Sequence, residues 1–160
     1  MKYLEFRKMR RSDKELPENE AREMLKKGSF GVLSTADING MPYGVPINYV
    51  YEDGRIFIHC ASSGHKLDNI SQNSHVSFCV VEYAKVIPER FSTNFRSAIA
   101  LGKASVVDNV EEKIEALKKL VSKYSSDYIH EGITEINNSL EATSIIRIDV
   151  LHLTGKFANG

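Results

Sequence analysis

The chain has 160 residues, with 21 acidic and 21 basic side chains and no net formal charge. Its length predicts a single domain over residues 1–160, which would bury roughly two thirds of its unfolded surface. The balanced charge argues against nucleic-acid binding, which depends largely on phosphate neutralisation. No apolar run approaches the roughly 20 residues of a bilayer span, and the charged N-terminus lacks the apolar region of a signal peptide. We therefore expect a cytoplasmic protein without nucleic-acid or membrane partners.

The first fifteen residues are basic and irregular, with a cluster of positive charge at 7–11. This segment is either a solvated arm or a structured element at a subunit contact. Leu16-Pro17 predicts the start of a helix, because proline fits the first helical turn. Gly28 suits the end of that helix.

Strands follow from Phe30. Asn39-Gly40 predicts a hairpin turn after the strand at 30–36, because both residues tolerate positive φ. The next predicted strand, 41–51, contains Pro42 and Pro46. Because proline cannot donate to a ladder, this strand must bend or have a free edge.

The segment from Arg55 to Lys66 is the most informative part of the sequence. It predicts an alternating strand at 55–61, a loop of small residues at 61–64, and a helix at 66–72. Hydroxyl groups, free N–H groups at a helix start and a lysine together favour an anion site, above all for phosphate. The alternative is an ordinary turn with a capped helix.

The rest of the chain predicts three more strands and a second long helix. Asp108 and Asn109 are good helix caps, and the apolar stripe that follows, with Leu120 and Tyr124 near its end, is interpreted as core packing. The predicted elements are a central strand at 76–83, an irregular segment at 88–94, a strand at 95–107 with a bulge at Gly102, a helix after Asn109, a loose, partly helical stretch at 125–140, and a strand at 143–153. Six antiparallel strands with few helices predict a mainly β fold, a closed barrel with flanking helices.

The cysteines and histidines do not form a metal-binding pattern. Cys60 and Cys79 lie within strand patterns and lack a Cys-x-x-Cys partner, which favours packed, reduced thiols. His75, His130 and His152 lack metal-type spacing, so no metal site is predicted.

Several segments, in this order along the chain, resemble the pyridoxamine 5′-phosphate oxidase-like flavoproteins, which have an FMN-binding split-barrel fold. Within that family the sequence is most similar to the nitroimidazole-resistance (Nim) group. The segments are 9–14, 31–35, 42–51, 56–70, 91–97 and 148–156. The fold that the resemblance implies is a six-stranded antiparallel split β-barrel.

The resemblance implies a homodimer with FMN at the subunit interface. In such proteins the flavin ring lies along the strand matching 44–49, the phosphate lies by the loop matching 62–66, and the partner subunit adds residues from the segment matching 93–97. The residues that this comparison assigns to FMN are Pro46, Ile47, Asn48, Tyr49, His59, Cys60, Ala61, Ser62, Ser63, His65, Lys66, Thr93, Asn94 and Arg96.

His59 matches the histidine that Nim-type proteins carry beside the flavin. An imidazole there could act as a catalytic proton donor near neutral pH. The alternative is a strand histidine that is hydrogen-bonded to neighbouring backbone. His65 either contacts phosphate or only begins the helix, and Tyr43, Tyr49 and Tyr51 either stack on a ligand or pack within the strand.

The implied function is an FMN-dependent oxidoreductase that reduces nitroaromatic or quinone-like molecules. The sequence lacks a Gly-x-Gly-x-x-Gly fingerprint, so NAD(P)H is expected to bind transiently at the flavin. Two alternatives remain, a non-catalytic flavin-binding or flavin-sensing protein and a haem-binding split-barrel protein. The C-terminal Arg/His pattern of the longer oxidases is missing, so pyridoxamine phosphate oxidation is not implied.

Overall fold

A computed structural model describes residues 5–160. In this range the chain forms eight strands, four α-helices and three short 3₁₀ turns. The strands are β1 Glu15–Leu16, β2 Gly31–Ala36, β3 Pro42–Ile47, β4 Val50–Glu52, β5 Arg55–Ala61, β6 His75–Ile87, β7 Ser92–Val106 and β8 Thr143–Ala158. The helices are α1 Glu18–Lys27, α2 His65–Gln72, α3 Val110–Tyr124 and α4 Ile129–Ser139.

The strands form one antiparallel sheet in the order β3-β2-β6-β7-β8-β5-β4, with β1 paired to β8. The fold is mainly β and is a split barrel. The predicted closure is wrong, because β3 and β4 stand at the two ends of the sheet and do not pair with each other. The predicted count of six strands is also wrong. β1 is additional, and the predicted strand at 41–51 divides into β3 and β4 at Asn48 and Tyr49.

Apolar side chains fill the space enclosed by the curved sheet. Ile56 and Ile58 point into this main core, where they join residues such as Phe78. Phe57, on the opposite face of β5, packs under α3 against Leu120. The middle of β5 is therefore buried on both faces, which fixes the position of the chain that follows it.

The prolines of β3 lie where the sequence predicts a free edge. β3 pairs only with β2, and Pro42 and Pro46 occupy positions on this end strand. After Ile47 the chain leaves the sheet at Asn48 and Tyr49 before β4 begins. The C-terminal end of α3 binds the backbone of Tyr49. Tyr124 Oη accepts a hydrogen bond from the Tyr49 backbone N–H at 3.0 Å, and Lys123 Nζ donates one to the Tyr49 carbonyl at 2.9 Å.

The predicted irregular segment at 88–94 is instead the tip of a long hairpin. β6 continues to Ile87, a 3₁₀ turn spans Pro88–Arg90, and Phe91 has a φ of 49° before β7 begins. The hairpin carries exposed apolar side chains, and Phe91 is 99% exposed. β8 also extends beyond the predicted end at Leu153, because it pairs with β7 as far as Ala158.

Most other predicted elements are confirmed. α1 ends at Gly28, the bulge lies at Gly102, and the Asn109 side chain accepts a hydrogen bond from the Glu112 N–H at 2.8 Å. The stretch predicted as loose is largely α4. Cys60 and Cys79 are free thiols. Among residues 5–160 there is no helix with the length and apolar character needed to cross a membrane.

Candidate functional site

The junction between β5 and α2 presents free backbone donors to solvent. Ser62, Ser63 and Gly64 are exposed, and Gly64 is the N-cap with a φ of 147°. No side chain caps the helix, so the alternative of an ordinary capped turn does not describe this junction. The first helical N–H groups, at His65 and Lys66, are therefore available to an anion.

Buried contacts hold α2 in place against the sheet. Asn69 Nδ2 donates a hydrogen bond to Thr35 Oγ1 at 2.9 Å, and both residues are buried. Ile70 packs into the main core. At the start of the helix, His65 stacks on Tyr43 of β3, with ring centroids 4.0 Å apart. These contacts place the loop beside the free edge of β3, so two of the predicted site segments come together.

Lys66 lies close to the end of β5. Burial raises the pKa of the Cys60 thiol, and the positive charge of Lys66 partly opposes that rise. The Cys60 side chain packs against the main core. A ligand outside the sheet would therefore meet the backbone of Cys60 rather than its sulfur, while the Lys66 ammonium group provides positive charge at the loop.

An open cleft of about 700 Å³ lies between the β5 end of the sheet and helices α3 and α4. Asn48 and His59 line it on the sheet side. The helices contribute aromatic, acidic and apolar side chains, among them Tyr124, Tyr128 and Glu131. The cleft is of a size that suits a small organic ligand.

His59 faces this cleft from β5. It is exposed, whereas its neighbours Ile58 and Cys60 point towards the main core, as the alternation of the strand predicts. Within residues 5–160 its side chain makes no hydrogen bond, so the alternative of a histidine bonded to neighbouring backbone is not observed. The imidazole is therefore free to contact a ligand.

Tyr49 does not contribute its ring to the site, contrary to the interpretation that it could stack on a flavin. The ring is fully buried, packs edge-on against Phe78, and its hydroxyl group donates a hydrogen bond to the Leu25 carbonyl. Burial raises the pKa of this phenol. Tyr51 is also buried, so the three tyrosines do not share an exposed face, and Tyr43 alone remains beside the loop.

The remaining predicted residues, Thr93, Asn94 and Arg96, lie far from the loop within the same chain. Ala61, at the end of β5, pairs with Thr143 of β8, whereas Phe95 of β7 pairs with Ala158 of β8. Thr143 and Ala158 are separated by roughly 50 Å measured along the strand. The Arg96 guanidinium group forms salt bridges with the carboxylates of Glu20, at 3.0 Å, and Glu82, at 2.6 Å. Strand pairing within the chain therefore does not bring these three residues to the loop.

Sequence reasoning missed the helical side of the cleft. Tyr124 was interpreted as part of a packing stripe, and the stretch that carries Tyr128, Glu131 and Glu135 was predicted to be loose and only partly helical. The spacing of the two glutamates by four residues was the available signal, because it places them on one face of a helix. In the part of the chain from residue 5 onward, His, Cys, Asp and Glu side chains form no group that could hold a metal ion.

A curved antiparallel sheet with this strand order defines a split-barrel protein. A family model described as pyridoxamine 5′-phosphate oxidase matches residues 17–157. The chain therefore belongs to the pyridoxamine 5′-phosphate oxidase family, and the resemblance stated from the sequence is confirmed. A search of curated proteins found no match.

Solved structures share this fold at low sequence identity. A proposed 5-nitroimidazole antibiotic resistance protein from Bacteroides thetaiotaomicron has a TM-score of 0.72 at 22% identity, over 89% of this chain and 86% of its own. A FAD-binding protein from Mesorhizobium loti has a TM-score of 0.66 at 20% identity, over 91% and 97%. A FAD and heme binding protein from Mycobacterium smegmatis has a TM-score of 0.78 at 17% identity, over 92% and 74%.

Proposed function

We propose that this protein is a homodimeric FMN-dependent oxidoreductase that reduces nitroaromatic or quinone-like small molecules. The observation that carries the proposal is the arrangement of β5. It ends in an uncapped helix start beside Lys66, and it presents the unbonded side chain of His59 to an open cleft. One strand thus joins an anion site to a proton donor, and relatives of the same fold bind flavins.

The residues present fit a flavin mononucleotide. The N–H groups of His65 and Lys66, the hydroxyls of Ser62 and Ser63, and the Lys66 ammonium group would hold the phosphate. His59 lies three residues before Ser62, which is roughly 10 Å along an extended strand and within the reach of a ribityl chain. The isoalloxazine ring would then lie between His59 and the free edge of β3, near Asn48.

An apolar outer face supports the homodimer. Val32, Cys79 and Ile99 lie in register on neighbouring strands, and Val81 lies two residues further along β6. The exposed fractions of Val32, Ile99 and Val81 are 36%, 42% and 57%. Monomeric proteins seldom expose a contiguous apolar surface of this kind.

Each group of the chain has a defined part in the proposed reaction. When bound, FMN would supply the hydride chemistry, with transiently bound NAD(P)H as the expected reductant. His59 would donate a proton to a nitro oxygen of the acceptor, so that the hydride and the proton together convert R–NO₂ to R–NO and water. The cleft between the sheet and helices α3 and α4 would hold the acceptor beside His59.

The purified protein is expected to be yellow and to release FMN on heating. The physical reason is that the β5–α2 junction suits a single phosphate, whereas FAD would need a further site for its adenylate. Absorption spectroscopy followed by chromatography of the released chromophore tests this expectation. Release of FAD would correct the cofactor, a Soret band would favour haem binding, and a colourless protein that does not bind added FMN would contradict the proposal.

The protein is expected to be a dimer of two 18.0 kDa chains in solution. Val81→Glu should shift it towards a monomer and weaken FMN binding, because a carboxylate would be buried in the proposed interface. Light scattering of the wild type and the variant tests this expectation. Val110→Glu is the matched control, because Val110 is similarly exposed on α3. An FMN-loaded monomer of the wild type would refute the interface site.

A further inference from the structure

The charged side chains in the cleft are acidic. Glu131 and Glu135 both line it, and their spacing places them one turn apart on α4. Neither forms a salt bridge with the described part of the chain, from residue 5 onward, and the cleft lining in that part contains no lysine or arginine. No lysine or arginine of the lining therefore offsets the two carboxylates, and His59, the proposed proton donor, is the basic group that faces the same cleft.

The rest of the helical wall suits a planar aromatic group. Leu117, Leu120 and Ile136 supply an apolar surface, and Leu120 and Ile136 are each only 6% exposed. Tyr128 is 63% exposed and lines the same cleft. A tyrosine face attracts cations as well as aromatic rings, so the aromatic and acidic groups favour the same kind of ligand.

The carboxylates are carried on a firmly packed helix. A Cβ atom at Gly132 would lie 2.5 Å from Val121 Cγ1, so α4 approaches α3 as closely as a glycine permits. Ile136 is buried one turn further on, against the same neighbouring helix region. Because α4 is fixed in this way, the backbone positions of Glu131 and Glu135 are held beside the cleft, while both side chains are exposed.

We propose that the cleft between α3, α4 and His59 selects planar aromatic cations over aromatic anions, and that Glu131 and Glu135 determine this selectivity. The identity of the cleft as the acceptor site rests on the proposed function, whereas the charge preference rests on the lining itself. A ligand with a positive charge beside its ring gains attraction from two carboxylates, and a ligand with a negative charge is repelled by both.

Binding of two matched probes to the FMN-loaded protein tests the proposal without requiring turnover. The probes are (4-nitrobenzyl)trimethylammonium and 4-nitrophenylacetate, which share a nitrobenzyl skeleton and differ in charge. Isothermal titration at an ionic strength of about 10 mM should show the cation binding about tenfold more tightly, and the preference should shrink as salt screens the carboxylates.

Two double variants distinguish the effect of the two glutamates in the cleft from the effect of the protein's overall charge. The double variant Glu131→Gln/Glu135→Gln should reduce the preference to within about twofold. The matched control Glu5→Gln/Glu89→Gln removes the same charge from exposed positions outside the cleft and should retain the full preference. Equal or tighter binding of the anion by the wild type would overturn the inference, as would a preference that survives in Glu131→Gln/Glu135→Gln.

The two proposals can fail separately. If the cation is preferred but neither nitro group is reduced, the selectivity stands and the oxidoreductase function fails. If both probes are reduced but bind with equal affinity, and the double variant does not change their binding, the function stands and the selectivity fails.

Discussion

Lys66→Ala is expected to lower the affinity for FMN by about tenfold or more, because charge-assisted contacts to phosphate are worth about 1.5–3 kcal/mol. Lys66 is half-buried at the start of α2, and its positive charge acts on the Cys60 thiol at the end of β5. The helix itself should survive the change, because Asn69 and Ile70 anchor it. Titration of FMN with the apoprotein, monitored by the quenching of flavin fluorescence, measures this loss of affinity.

Riboflavin distinguishes a phosphate contact from a structural role of Lys66. Riboflavin lacks the phosphate, so its affinity should change little in the same variant. Lys26→Ala, which removes an exposed positive charge from α1, should leave the affinity for both ligands unchanged. If Lys66→Ala weakens FMN and riboflavin equally, Lys66 supports the fold of the loop and does not bind the phosphate.

The β5–α2 junction could be predicted because its signals are local. Strand alternation set the bounds of β5 at Arg55–Ala61, and Gly64 marked the place where the chain leaves the extended conformation. The hairpin at Asn39-Gly40 was equally clear, since Gly40 has a φ of 83°. In each case a few adjacent residues determine the backbone, so no knowledge of distant contacts was needed.

The hairpin of β6 and β7 could not be bounded in the same way. In its outer half neither face of the hairpin is buried. Apolar and polar residues therefore do not alternate there as they do in a strand with one buried face. Pairing between β6 and β7 maintains these strands as far as Ile87 and Ser92. The extension of β8 to Ala158 depends likewise on its partner β7. Cross-strand hydrogen bonds, rather than local preference, define these ends.

Tertiary packing also decided which candidate side chains reach the site. Tyr49 carries the same aromatic group as Tyr43, yet the break after β3 turns Tyr49 into the core. Lys123 and Tyr124 of α3 hold that break in place from about 75 positions away in sequence. The cleft beside His59 has the same origin, since it exists only where α3 and α4 pack against the sheet.

His59→Ala is expected to lower the rate of nitroaromatic reduction by about a hundredfold or more, while FMN remains bound. His59 is exposed in the cleft and is free of hydrogen bonds within residues 5–160, whereas the phosphate donors lie beyond it at Ser62–Lys66. Loss of the imidazole should therefore remove a proton donor without removing the contacts that hold the cofactor.

Stopped-flow measurement of the two half-reactions isolates this effect. Reduction of bound FMN by NADPH should proceed at the wild-type rate, because hydride transfer to the flavin does not require the proton donor. Reoxidation by a nitroaromatic acceptor should be slow in His59→Ala. His59→Gln, which keeps a polar side chain of similar size, should be equally slow if proton donation is the role. Wild-type reoxidation by either variant with full flavin occupancy would show that His59 only lines the cleft and does not donate the proton.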